Sequence, residues 1–90
     1  MKLKNDFILR KIPGMNLVIP AGENIRSYKG ALVLNDTAAF IYERLQQGLR
    51  EDEIAERMTE KYDVTKAKAM EDIARTEALL TEAGLAEQIL

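Results

Sequence analysis

The 90-residue chain contains no cysteine and no histidine. Their absence removes disulfides, thiol nucleophiles and zinc sites of the Cys/His type. It also removes the side chain that most often moves protons near neutral pH. Long apolar runs are missing as well: nothing approaches the roughly 18 consecutive apolar residues that a bilayer-spanning helix needs. Residues 1–12 carry charge throughout and hold no apolar core segment, so no signal peptide is visible. A chain of this kind is expected in the cytoplasm.

What is present is ordinary globular material, 47% hydrophobic and 31% charged, which points to one domain over residues 1–90, near the lower size limit for a core without disulfides. The net charge of −2 is unevenly spread. Residues 1–34 hold six cations against Asp6 and Glu23, while residues 35–90 hold seven against thirteen acids. Such asymmetry hints at where an acidic partner could dock, although it often serves only solubility.

The best-marked stretch is Leu34–Leu45, closed by Gly48. Asn35 suits an N-cap, Asp36 places negative charge in the first turn, and Gly48 can take the left-handed conformation that ends a helix. Ala38, Ile41, Tyr42 and Leu45 fall at i, i+3, i+4 and i+7, a continuous apolar stripe widened by Ala39 and Phe40. This is the expected central helix, about 36–47. Ahead of it, Phe7–Ile12 and Leu17–Ile19 read as a hairpin turned at Pro13-Gly14, and Gly30–Leu34 as a third short strand. Glu23–Lys29 reads as a polar loop.

Beyond Gly48, the acids Glu51, Asp52 and Glu53 start a second helix, about 51–62, which buries Ile54, Met58 and Tyr62. Asp63-Val64-Thr65 makes a tight turn, and Thr65 caps a third helix, about 66–83, stopped by Gly84. Tyr42 and Tyr62 are expected to bury their rings and lead their hydroxyls to water. The fold class is therefore α+β, a small winged helix-turn-helix with three short N-terminal strands followed by three helices.

One residue breaks the pattern. At about 100° per residue, Ala69, Met70, Ile73, Ala74, Glu77 and Leu80 share a face of the third helix, so Glu77 interrupts an apolar stripe. Its neighbours at i±3 and i±4 include no cation. Burying that carboxylate alone is costly, so it needs water or a cation from elsewhere, and the face could line a groove awaiting a ligand's donor.

Leu34-Asn35-Asp36-Thr37-Ala38-Ala39, followed by Ile41, Leu45 and Gly48, resembles the signature of PqqD-like proteins. Glu53-Ile54-Ala55 with Tyr62-Asp63-Val64, then Asp72-Ile73, Leu80 and Gly84-Leu85, extend the resemblance over essentially the whole chain. Thr76 and Glu77 depart from it, standing where the family pattern has bulky apolar residues. The resemblance implies a non-catalytic recognition element for ribosomally made peptides, without cofactor or metal. Such an element holds the leader of a precursor peptide and presents it to a modifying enzyme, often a radical S-adenosylmethionine enzyme.

The resemblance further implies that the leader adds as a strand along Gly30, Ala31, Leu32, Val33 and Leu34. Its side chains would then meet a wall of Met70, Ile73, Ala74, Glu77 and Leu80. Glu77 would select a leader with Lys or Arg opposite it. The domain would be a monomer or weak homodimer, with neither nucleic acid nor membrane as partner.

Two other classes compete. Winged helix-turn-helix domains often read DNA, but a recognition helix needs phosphate-neutralising cations, and here Lys66, Lys68 and Arg75 are offset by Glu71, Asp72, Glu77 and Glu82. A generic protein-interaction module without a peptide ligand also fits. Catalysis lacks a nucleophile–base pair or a Gly-rich phosphate loop.

Overall fold

The computed structural model describes residues 2–22 and 30–87. In chain order these form β1 (Lys2–Leu3), β2 (Phe7–Ile12), β3 (Met15–Pro20), β4 (Leu32–Leu34), α1 (Asp36–Gln46), α2 (Glu51–Lys61), α3 (Lys66–Glu82) and β5 (Ala86–Glu87). The architecture is α+β: an antiparallel sheet of order β2-β3-β4, followed by three helices. The expected polar loop 23–29 lies outside the described residues.

The hairpin forms where the sequence places it. Ile12 pairs with Met15 across Pro13-Gly14, and Gly14 sits at φ 78°, a conformation that a residue with a Cβ rarely adopts. Alternation then divides the strands. Phe7, Val18 and Leu34 turn inward and are buried, whereas Ile8, Ile12, Met15 and Val33 turn outward and are exposed. The third strand is shorter than Gly30–Leu34 because Gly30, at φ 88°, is still turning into it.

The Asn35 side chain accepts a hydrogen bond from the Ala38 N–H at 2.8 Å, capping α1. Five successive residues, Ala38 to Tyr42, are buried, so α1 packs on both sides and separates two apolar clusters. One joins the sheet to Ala38, Ala39, Tyr42, Leu80 and Leu85. The other joins Phe40 and Ile41 to Ile54, Met58, Ala69 and Ile73 of the two later helices. Tyr42 is buried completely, and its hydroxyl is hydrogen-bonded to Gln46 instead of being led to water.

At the start of α2, the Arg50 N–H donates to Glu53 Oε1 at 3.0 Å. Thr65 Oγ1 accepts from the Lys68 N–H at 3.1 Å and caps α3. After α3 the chain forms β5, which pairs with β1, Leu3 against Ala86. Neither of these two-residue strands has an apolar alternation that marks it in the sequence.

Candidate functional site

Strand β4 pairs with β3 on one side only: Asn16 lies opposite Leu34, Leu17 opposite Val33 and Val18 opposite Leu32. Among the described residues nothing pairs with its other edge. The C-terminal strand that could have covered it is engaged with β1 instead. Alternate backbone N–H and C=O groups along this edge are consequently open to a further strand.

Two hollows flank the edge, both bounded by α3. The first, about 180 Å³, is lined by Asn35, Thr37, Ala38, Asp72, Arg75, Thr76 and Leu79. The second, about 170 Å³, lies at the other end of β4 among Val18, Gly30, Ala31, Leu32, Ala83 and Leu85. Asp72, Arg75, Thr76 and Leu79 of α3 line the first hollow and Ala83, at its C-cap, the second, one face at i, i+3, i+4, i+7 and i+11. Its rim is charged, with Asp72 Oδ1 2.7 Å from Lys68 Nζ and Arg75 Nη2 3.0 Å from Glu71 Oε1.

This face differs from the wall expected from the sequence. Of Gly30 to Leu34, Gly30, Ala31 and Leu32 line the second hollow, and Leu32 to Leu34 form β4 itself. Ile73 and Leu80, however, are core residues with essentially no exposed surface. Met70 and Ala74 are exposed but line neither hollow. The inward stripe of α3 is Ala69, Ile73, Thr76 and Leu80. Thr76 belongs to it because its hydroxyl donates to the Asp72 carbonyl of its own helix at 2.9 Å, so burial strands no polar group. Apolar periodicity alone passes over such a threonine and rotates the face toward Met70 and Ala74.

Glu77 also lies away from the cleft. Its carboxyl is pushed above the ordinary range, first by burial and then by the negative charge of Glu51, with which it shares a hydrogen bond; the chain's amino group acts in the opposite direction. Within the folded chain its carboxyl thus meets another acid, at the start of α2.

Asn16 is the residue that sequence reasoning passed over. It is buried on β3, and its carboxamide donates to the Leu34 carbonyl at 3.1 Å and to Asp36 Oδ1 at 2.8 Å. Those bonds hold the end of β4 and the start of α1, the two elements that meet at the first hollow. The only sequence signal was a polar residue at an inward position of a strand.

Residues 18–86 match the family model for coenzyme PQQ synthesis protein D (PqqD). The chain belongs to the PqqD family. Among solved structures, TbiB1 in complex with the TbiA(beta) leader peptide superposes with a TM-score of 0.79 over 100% of this chain and 99% of that one, at 18% identity. At that identity the likeness speaks for the fold. Lasso peptide synthetase B1 complexed with the leader peptide gives a TM-score of 0.78 at 29% identity, covering 97% of this chain and 96% of that one. No curated protein is a significant match. As a PqqD-family chain, this one joins recognition proteins that act as partners of modifying enzymes. No helix among the described residues is long and apolar enough to cross a membrane.

Proposed function

We propose that this chain binds the leader of a ribosomally made precursor peptide by strand addition along β4 and presents the peptide to a modifying enzyme, performing no chemistry itself. The observation that carries this reading is the open β4 edge between two hollows against α3. An extended peptide satisfies the strand's outward backbone groups, which gives affinity, while alternate side chains enter the hollows, which gives selectivity. Two relatives of the same fold were solved with leader peptides.

Each hollow has the size of one medium apolar side chain, and burial there contributes about 25 cal/mol per Å² removed from water. Ordering a flexible leader offsets part of that gain. The contact residues on this reading are residues 30–34 with Thr37, Ala38, Thr76, Leu79 and Ala83. Arg75 and Asp72 stand at the rim, where they can meet polar leader side chains. The lack of histidine and cysteine fits a binding role, and on this reading the chain works in the cytoplasm, where precursor peptides are made.

An NMR titration with candidate leader peptides tests this. Amide shifts are expected to concentrate on residues 30–34 and 72–83, with added hydrogen-exchange protection at the outward β4 amides. Shifts confined to other surfaces, or none with any leader, would overturn the reading.

A further inference from the structure

The second face of the sheet, turned away from the helices, is almost wholly apolar. Ile8, Ile12, Met15 and Val33 are 45%, 48%, 43% and 57% exposed, and Leu17 and Ile19 lie half-buried between them. Strand register makes the patch continuous, since Ile8 faces Ile19, Ile12 faces Met15 and Leu17 faces Val33. The one charged residue on the face is Arg10, opposite Leu17, and it has no ion-pair partner among the described residues. Half-solvated antiparallel sheets ordinarily alternate apolar-in with polar-out. Here both faces are apolar.

We propose that this outer face, lengthened by the leader strand, docks the enzyme that modifies the precursor; the inference rests on the leader-binding function proposed above. A strand added at β4 continues the sheet next to Val33, so every second leader side chain joins the same surface. The docking face is then complete only when the leader is in place. The enzyme thereby distinguishes a loaded domain from an empty one.

Charge and area argue for this occupant over a second copy. No acid stands at an outward position of β2, β3 or β4, so two copies packed face to face would bury each Arg10 without a counter-charge. A partner with an acidic residue opposite Arg10 meets it. Two strands of six residues and one of three, about 4.8 Å apart and rising about 3.3 Å per residue, give a footprint of roughly 240 Å². That falls well short of the ~800 Å² per partner typical of a stable interface. A weak contact suffices for the enzyme, because the precursor held by both proteins raises their effective concentration to about the millimolar range.

The test uses the full chain, a fluorescein-labelled leader that it binds, and the purified enzyme that modifies that precursor. Ile12→Lys and Arg10→Glu both lie on β2, away from the β4 edge, and circular dichroism checks their folding. Leader affinity is expected to stay within about twofold, while enzyme affinity for the loaded domain falls about tenfold or more. Enzyme affinity for wild type is expected to be higher with leader than without.

Unchanged enzyme binding by both variants overturns the inference. So does self-association of wild type in sedimentation runs that Ile12→Lys abolishes, or binding to phosphatidylcholine–phosphatidylglycerol vesicles that it abolishes. Failure of wild type to bind any leader is a different result and removes the leader-binding function itself.

Discussion

Asn16 reaches from β3 to donate a hydrogen bond to Asp36 Oδ1 at 2.8 Å, and the same amide nitrogen bonds the Leu34 carbonyl at 3.1 Å. One side chain thus ties the last residue of the open strand to the first residue of the central helix. Asn16→Ala removes both bonds and leaves the Leu34 carbonyl in a buried setting. The expected loss is about 1–3 kcal/mol of folding stability, read as a lower urea midpoint with an unchanged slope. Leader affinity should also weaken, since the junction borders the first hollow. An unchanged midpoint would show that water replaces the amide without cost.

The cleft and the stripe expected from the sequence make opposite demands on Leu79 and Glu77. Leu79 lines the first hollow and is 37% exposed, so Leu79→Asp should lower leader affinity by about tenfold or more with a stability change within about 1 kcal/mol. Glu77→Leu should leave affinity within about twofold, because that side chain lies against Glu51. Fluorescence anisotropy with a labelled leader reads both. The reverse ranking would restore Glu77 to the binding wall.

Much of the fold was legible because its signals are local. The Asn35 and Thr65 caps, the Pro13-Gly14 turn and the stripe through Ala38, Ile41 and Tyr42 each sit within one element. The cleft was less legible because it depends on the rotation of α3 about its axis, which packing decides. Thr76 is polar by type yet buried, since its hydroxyl finds the Asp72 carbonyl. Glu77 looked like a lone acid in an apolar face because Glu51, its neighbour in space, is far away in sequence. The partners of Asn16 lie 18 and 20 residues further along the chain, beyond the reach of any periodicity.

Ile73 separates core from cleft. It is buried between α1 and α2, so Ile73→Val should cost about 0.5–1.5 kcal/mol in stability, measured by denaturation in urea. Leader affinity should not change under conditions where the variant stays folded. A loss of affinity larger than the loss of stability would place Ile73 in contact with peptide.

The Glu77–Glu51 pair makes stability depend on pH in a defined direction. Burial and the Glu51 charge raise the Glu77 carboxyl pKa in the folded chain above its unfolded value, so the folded state holds the proton more tightly. The resulting stabilisation is fully present below the unfolded pKa of about 4.3 and is lost as pH rises through the raised folded value. Above that, the native fold must keep two carboxylates close together. Glu77→Gln removes the titration while retaining the shape and a hydrogen-bonding group. Thermal melts from acid to neutral pH should therefore show variant and wild type nearly alike at low pH. The variant should become the more stable of the two as pH rises toward neutrality. A constant difference across the series would mean that Glu77 does not titrate on folding, and a variant less stable at neutral pH would mean that its charge is favourably met.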